Sequence, residues 1–196
     1  MTGPVRAILD ASSGEVAGFD ALIRAWDGDD AAGPVPPLWW RLPPLYAAEI
    51  DRAVARAVSA GADHVVLPSL ARAPDLQHLG AKLAVAEAEA ERDDGAVGIV
   101  ATLTHATGLL ALARAPEVSR RLRALVDVMP ERSRGLAQAQ RGLVGLVAEA
   151  LAVPAYLALP DMPASGAVVR RAVRDGYAGL LTRRPADLAA IRSAFS

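Results

Sequence analysis

The sequence contains no cysteine, few aromatic residues and a single lysine, and each shortage narrows the kinds of protein it can encode. Without cysteine the chain has no disulfide and offers no thiolate to a metal, which fits a reducing cytoplasm. Aromatic residues make up only 4% of the 196 positions, so alanine, valine, leucine and isoleucine must fill the interior. This length favours one domain, spanning residues 1–196. Together these features predict a cytoplasmic, single-domain protein with an aliphatic core.

The charged residues give no sign of a nucleic-acid partner. The net charge is −1, and the 21 basic residues, 20 arginines and Lys82, are spread along the chain. Such a balance provides no long-range attraction for a polyanion. The most apolar window, residues 142–160, is interrupted by Glu149 and Pro154, so we expect no membrane span either.

Short apolar runs rich in β-branched residues recur along the chain, and each is followed by a turn and a stretch with helical spacing. Their starts lie 24 to 33 residues apart. Strand, helix and strand at this spacing predict parallel strands joined by right-handed crossovers, as in a TIM-barrel-like (β/α) barrel. The seven runs begin near Val5, Pro37, His64, Val97, Leu125, Pro154 and Ala178.

Seven β/α units are one short of a closed eight-stranded barrel. Either one strand escapes the pattern, or the sheet keeps a gap whose edges present unpaired backbone groups. We expect an incomplete barrel of about seven units, with homo-oligomerisation covering the gap.

The segment GADHVVLPS at residues 61–69 combines a helix end, a short strand and a turn in nine positions, as expected where one β/α unit of the barrel follows another. Gly61 is expected to end a helix in the left-handed conformation, and Pro74 is expected to open the next helix at its first position. Between them lie a short buried strand and a turn. In such a barrel Ser69, just beyond the strand, faces the ligand-binding mouth.

Five segments in succession resemble the citrate lyase beta-chain family, which also includes malyl-CoA lyases and related aldolases. The longest continuous match is GADHVVLPSLARAPDL at 61–76, similar to the family's GADxIVLPKVExxxDL. The other segments are ILDASS at 8–13, WRLP at 40–43, ATLTHAT at 101–107 and GYAGLLTRRPADLAAIRSAF at 176–195, similar to LDLED, VRVN, ALIET and GFDGKxAIHPxQVxxINxAF. The resemblance covers nearly the whole chain and implies a barrel that starts at the family's second strand and ends before its C-terminal lid.

The resemblance implies a protein that cleaves or forms a carbon–carbon bond next to a carbonyl, on acyl-CoA or 2-oxo acid substrates. Family members hold Mg²⁺ with a Glu and an Asp at strand ends, and an arginine of the VRVN strand binds the substrate carboxylate. Arg41 matches that arginine. The metal-binding Glu, however, falls on His105, and the metal-binding Asp falls near Pro130, with Asp127 and Glu131 out of register.

Other family positions have lost charge or changed its sign. The two acids of the LDLED strand fall on Ser12 and Ser13, which leaves only Asp10 in place. The lysine of the LPK turn falls on Ser69, and the histidine of the IHP turn falls on Arg184. We therefore expect an anion-favouring mouth with little acid.

A bound metal does not follow from these residues. Mg²⁺ prefers carboxylate oxygens, whereas imidazole suits Zn, Ni or Cu, and a solitary histidine holds none of them well. His64, at the bottom of its strand, and His78, on a helix, are poorly placed to help His105. The sequence predicts no cofactor, with Mg²⁺ retained only if the family site persists and a CoA-linked substrate still possible.

The expected catalytic residues are His105 and Asp10. Imidazole suits proton transfer near neutral pH, and Asp10 is expected to orient His105, to accept a hydrogen bond from Arg41, or to brace a turn. Arg41 is expected to anchor a substrate carboxylate. A strand-end ion pair for Arg41, and a histidine that only fills a lost metal site, are the alternatives.

The remaining expected substrate-binding residues are Ser69, Arg183 and Arg184. The two arginines precede a helix that opens near Pro185, where they would clamp an anion at the helix N-terminus. A turn-forming serine and solvent-facing arginines are the alternatives.

Two functions follow as hypotheses. The first is a divergent carbon–carbon lyase or aldolase that acts without metal, by acid–base chemistry on a small anionic or carboxylate substrate. The second is a non-catalytic descendant that serves as a structural subunit or binds a small anion.

Overall fold

The computed structural model describes residues 5–10, 19–25, 27, 38–115, 118–128, 134–159 and 163–195. Eight parallel strands close into a barrel, in which each strand pairs with the next and the last pairs with the first. The predicted TIM-barrel-like fold is therefore confirmed. The strands are β1 Ala7–Asp10, β2 Ala21–Ala25, β3 Leu38–Arg41, β4 His64–Leu67, β5 Gly98–Leu103, β6 Leu122–Val128, β7 Ala155–Leu159 and β8 Gly179–Thr182.

The count of seven strands is wrong, because β2 was not predicted. β2 is only five residues long and begins eleven positions after the end of β1, which is too close for a strand–helix–strand spacing. It pairs with β1 on one side and β3 on the other, so the barrel has no gap. The open edge that favoured oligomerisation therefore does not exist.

Six α-helices surround the barrel, one after each strand from β3 onwards. Pro74 opens α2, as predicted, and Gly61 follows α1 with φ of +77°, the left-handed conformation expected of a helix stop. No helix of the described ranges is long and apolar enough to cross a membrane. The helices are α1 Ile50–Ser59, α2 Pro74–Glu89, α3 Ala106–Arg114, α4 Arg134–Ala150, α5 Gly166–Arg174 and α6 Leu188–Phe195, with a 3₁₀ turn at Pro185–Asp187 before α6.

Two apolar layers hold the fold together, one between sheet and helices and one inside the barrel. Because successive side chains of a strand point to opposite faces, Trp40 packs in the outer layer and Trp39 in the inner one. The same alternation places the last residue of β3, Arg41, and the last residue of β1, Asp10, on the inner face. The inner layer consists of Ile8, Ala21, Ile23, Trp39, Val66, Val100, Ala124, Val126, Tyr156, Ala158 and Leu181.

A buried ion pair at the opposite end from the mouth joins α2 to the start of β6. The Glu87 side chain is fully buried and accepts hydrogen bonds from the Arg121 guanidinium at 2.7 and 2.9 Å. It also accepts from the backbone N–H groups of Val97 and Gly95. Burial alone would raise the pKa of Glu87, but these hydrogen bonds outweigh it and lower the pKa below its usual value.

We expect Glu87→Gln to lower the free energy of unfolding by about 3 kcal/mol, because it leaves Arg121 without its buried counter-charge. Urea denaturation near neutral pH measures this. Glu89→Gln on the exposed side of α2 is the matched control and should change stability by no more than about 0.5 kcal/mol. Equal losses in the two variants would contradict the assigned role of the pair.

The same variant carries a pH signature. A lowered folded-state pKa gives stability that is present above the unfolded carboxyl pKa of about 4.3 and is lost as the pH falls through the folded value. The gap in stability between the wild type and Glu87→Gln should therefore narrow as the pH falls below about 4.3. A gap that stays constant on acidification would show that the charge of Glu87 is not its cause.

Candidate functional site

All six predicted site residues lie at one end of the barrel. Because every strand is parallel to its neighbours, the carboxyl ends of the strands form a single rim, the mouth. The six residues end or follow five different strands: Asp10 ends β1, Arg41 ends β3, Ser69 follows β4, His105 follows β5, and Arg183 and Arg184 follow β8.

A carboxylate shared by two arginines lies at the centre of this group. Asp10 Oδ2 accepts a hydrogen bond from Arg41 Nη2 at 2.5 Å and another from Arg183 Nε at 3.2 Å. The strand register brings Arg183 close, since Leu9 and Thr182 are paired neighbours on β1 and β8. Of the partners expected for Asp10, the structure shows Arg41, and it adds Arg183.

Exposure differs sharply among these three side chains. The Asp10 side chain is 8% exposed, against 33% for Arg41 and 50% for Arg183. Two guanidinium groups thus face one nearly buried carboxylate. Guanidinium groups present several N–H donors and suit bidentate binding of carboxylates, so this cluster favours an incoming anion.

The His105 side chain is exposed at the N-terminal end of α3. It is the N-cap residue of α3, with an extended backbone (φ −138°, ψ 148°), and its side chain makes no hydrogen bond to the helix. Within the described residues no hydrogen bond joins His105 to Asp10; of the alternatives for Asp10, the described contacts show the one with Arg41. The ring therefore projects from the rim without a described orienting partner.

The turns after β4 and β5 are locked together beside His105. The hydroxyl groups of Ser69 and Thr104 lie 2.7 Å apart in a hydrogen bond. Gly108 in α3 lies against the Leu70 backbone so closely that an added Cβ would come within 2.0 Å of the Leu70 carbonyl oxygen. Only glycine fits there, and this contact sets the distance between α3 and the turn that carries Ser69.

The turn after β8 separates the two arginines that were expected to act together. The buried Thr182 hydroxyl donates to Asp187 at 2.7 Å and accepts from the Arg184 N–H at 3.0 Å. The Arg184 guanidinium faces Asp187 at 3.8 Å, whereas Arg183 reaches Asp10. A joint clamp by both arginines at the helix N-terminus is therefore not what the described contacts show, and Arg183 alone joins the Asp10 cluster.

Several residues considered in the sequence fall elsewhere. Asp127 is fully buried on the helix side of the sheet, where it accepts hydrogen bonds from Tyr177 at 2.6 Å and Gln140 at 2.7 Å. Burial raises the pKa of this carboxyl, although both hydrogen bonds act in the opposite direction. Four further positions, Ser12, Ser13, Pro130 and Glu131, lie outside the described residues.

The described part of the chain brings no three His, Asp or Glu side chains close enough to hold a metal ion. At the mouth the described acid nearest the arginines is Asp10, and one of its oxygens is already engaged by Arg41 and Arg183. Imidazole stands where the resemblance would place a glutamate ligand. These described donors do not fit Mg²⁺, which favours several carboxylate or water oxygens in an octahedral arrangement.

The fold is shared with lyases and synthases of known structure. No family model matches the sequence, and no curated protein matches it. A citrate lyase of Burkholderia xenovorans is similar at a TM-score of 0.78, with 15% identity over 98% of this chain and 77% of that one. The citrate lyase beta subunit of Mycobacterium tuberculosis, complexed with oxaloacetate and magnesium, is similar at 0.76, with 16% identity over 99% of this chain and 98% of that one.

A third solved structure with a similar fold is a malate synthase. The malate synthase of Haloferax volcanii, in a magnesium and glyoxylate complex, gives a TM-score of 0.75 with 13% identity over 97% of this chain and 75% of that one. At such identities the likeness establishes the fold. The resemblance to citrate lyase beta chains is thus confirmed as a resemblance of fold.

We expect Asp10→Asn to strengthen the binding of external anions at the mouth. The substitution keeps the size of the side chain but removes the charge that Arg41 and Arg183 face, so an added anion meets less competition. One charge at about 4 Å is worth about 1 kcal/mol under full screening by water and more where screening is reduced, so the affinity should rise at least about fivefold. Thermal unfolding with increasing sulfate, at constant ionic strength, measures the gain.

Asp51→Asn is the matched control, because the exposed Asp51 carboxylate pairs with Lys82 away from the mouth. It should respond to sulfate as the wild type does. If Asp10→Asn also behaves like the wild type, the two arginines do not form an anion site.

Proposed function

We propose that this protein is a divergent carbon–carbon lyase or aldolase that binds a small carboxylate through Arg41 and Arg183 and acts without a metal ion at the family site. The observation that carries the proposal is the Asp10 carboxylate held between these two arginines at the mouth. This contact supports a site in which Arg41 and Arg183 are already positioned to bind a substrate carboxylate, a group of the same shape as the Asp10 side-chain carboxylate. Oxaloacetate and pyruvate, bound by the citrate lyase beta subunit of Mycobacterium tuberculosis, define the substrate class.

The chemistry proposed is proton transfer next to a carbonyl group. In a bound 2-oxo acid the imidazole of His105 accepts a proton from the carbon beside the carbonyl. The electrons of the broken C–H bond form the C=C bond of an enolate, whose negative charge develops on the carbonyl oxygen. The guanidinium groups of Arg41 and Arg183 stabilise that charge, and the protonated imidazole returns the proton in the reverse step.

Guanidinium groups must supply the stabilisation that a metal would otherwise provide. A Lewis-acid metal contributes several kcal/mol of charge stabilisation, and charge-assisted hydrogen bonds in a partly buried site are the available substitute. The nearly buried position of Asp10, with Arg41 two-thirds buried beside it, supports this substitution because screening by water is reduced there.

We expect the protein to speed the exchange of pyruvate methyl protons with deuterium in buffer that contains a chelator. This exchange reports enolate formation without knowledge of the natural substrate, and proton NMR follows it. His105→Ala should lower the exchange rate at least about 100-fold with the fold intact, because general acid–base catalysis is lost. Gln77→Ala, at an exposed position of α2, is the control and should keep the wild-type rate.

A non-catalytic anion binder is the second candidate. The observation that favours it is the exposed His105 side chain, which has no orienting partner among the described residues, whereas a general base is normally held by one. On this alternative pyruvate binds with the same dependence on Arg41, but neither the wild type nor His105→Ala exchanges its protons above the buffer rate. That result would overturn the proposed enzyme.

The proposed independence from magnesium has its own test. Calorimetric titration of the wild type with Mg²⁺ or Mn²⁺ should give no stoichiometric binding in the micromolar range. The same titration in the presence of pyruvate covers a metal that needs the substrate as a ligand. Stoichiometric micromolar binding in either titration would refute metal-free action.

The proposal extends to the surroundings of the protein. A cytoplasmic location fits the absence of cysteine from the sequence. Homo-oligomerisation remains a prediction. A CoA-linked substrate stays within the proposed carboxylate class.

A further inference from the structure

A hydrogen-bonded tyrosine–arginine pair lies on the connections that leave the carboxyl ends of β3 and β4. Tyr46 belongs to the connection from β3 to α1, five residues after Arg41, and Arg72 belongs to the connection from β4 to α2, three residues after Ser69. Both connections leave the carboxyl ends of neighbouring strands. The Arg72 Cζ atom lies 5.6 Å from the centre of the Tyr46 ring.

This pair is both exposed and fixed in place. Tyr46 is 65% exposed, and so is the side chain of Arg72. The Tyr46 hydroxyl nevertheless donates to Asp75 Oδ1 at 2.7 Å and accepts from Arg72 Nη2 at 2.5 Å, while Asp75 is only 3% exposed. The hydrogen bond to Asp75 raises the pKa of Tyr46 above its usual value, so the phenol stays protonated and remains the donor.

Aromatic and apolar surface continues from the pair along the outside of the barrel. The His78 ring lies 5.7 Å from the Tyr46 ring at an interplanar angle of 52°. His78 also lines a groove of about 490 Å³ between α1 and α2, which has Val54, Ala81 and Val85 among its lining residues. A planar group that rests on Tyr46 therefore has room beside it.

A structural brace accounts for only part of this arrangement. Tying the connection after β3 to the start of α2 needs the Tyr46 hydroxyl and Asp75. It does not require an aromatic ring left exposed to solvent with an exposed guanidinium group at its hydroxyl end. Side chains fixed before a ligand arrives lose little freedom on binding, which is what a recognition surface needs.

We propose that Tyr46 and Arg72 bind a planar ring of the ligand whose carboxylate Arg41 and Arg183 hold, so that the substrate is a carboxylic acid bearing an aromatic or heteroaromatic group. This inference rests on the proposed carboxylate site and names its substrate class. The ligand ring packs on the exposed face of Tyr46, and the Arg72 guanidinium at the hydroxyl end of that ring contacts the edge or face of the ligand ring. Tyr46 follows β3, the strand that Arg41 ends, so the two parts of the proposed site are on the same connection.

The test compares matched pairs of acids by calorimetry. The probes are 2-oxobutanoate, 4-phenyl-2-oxobutanoate and 5-phenyl-2-oxopentanoate, which differ by the ring and by the length of its spacer. For the wild type we expect at least one phenyl acid to bind about tenfold tighter than 2-oxobutanoate, a gain typical of one aromatic contact. Equal affinity for all three would overturn the inference and leave the carboxylate site standing.

Substitutions of Tyr46 and Arg72 test whether these two residues cause the gain in affinity for the phenyl acids. Tyr46→Leu and Arg72→Gln should reduce the gain to less than about threefold without changing the affinity for 2-oxobutanoate, since an exposed ring contact is lost. Tyr46→Phe should keep most of the gain, because stacking needs the ring and the brace needs the hydroxyl. Arg120→Gln, at the opposite end of the barrel, is the control for Arg72→Gln and should leave every affinity unchanged.

Arg41→Gln separates the two proposals. It should weaken all three acids about tenfold or more, as expected for loss of a charge-assisted contact. If the phenyl acids still bind to Arg41→Gln with the wild-type affinity but lose it in Tyr46→Leu, the ring site is independent and the inference is overturned. If no acid binds the wild type, or if Arg41→Gln changes none of the affinities, the carboxylate site itself fails, and the inference with it.

Discussion

Closure of eight parallel strands is the constraint on which the rest of this molecule depends. It leaves no free edge and brings the carboxyl ends of all strands into one ring. Residues separated by most of the chain then become neighbours, as Asp10 and Arg183 do across the seam between β1 and β8. The chemistry of the mouth is a consequence of this geometry, since the side chains themselves are ordinary.

Charge at the mouth is balanced by the protein's own carboxylate. Asp10 stabilises two arginines that would repel each other, and it does so on the inner face of the barrel, where water screens the interaction little. A ligand carboxylate must therefore compete with an internal one or share the same donors. This competition ties the affinity of the mouth to a single acidic side chain and links the binding of an anion to the stability of the rim.

Local patterns in the sequence predicted much of the fold. Gly61 and Pro74 mark helix ends because their backbone preferences act within one or two residues, and the alternation of Trp39 and Trp40 follows from strand geometry alone. The sequence pattern did not reveal β2, because this strand has only five residues and begins too close to β1 for a strand–helix–strand spacing. Without that spacing it looks like any other short apolar run. The family resemblance, read position by position, pointed to Arg41 at the mouth.

The rest of the site depends on contacts that sequence spacing does not encode. Arg183 and Arg184 are adjacent, yet the Thr182–Asp187 hydrogen bond shapes a turn in which they take different partners. An acid two residues after Pro185 looks like an ordinary first-turn residue, so Asp187 gave no sign of this role. Tyr46 and Arg72 lie 26 positions apart, and only the folded barrel brings them together.

The missing side chain of Gly108 has a practical meaning for anyone who wishes to redesign this barrel. Since the α3 backbone rests directly on the Leu70 carbonyl, the spacing between the Ser69 and His105 positions is set by main-chain atoms. Libraries that randomise His105 and keep the Ser69–Thr104 hydrogen bond would sample new chemistry on an unchanged frame. Any library that includes Gly108 would instead consist largely of misfolded or displaced variants.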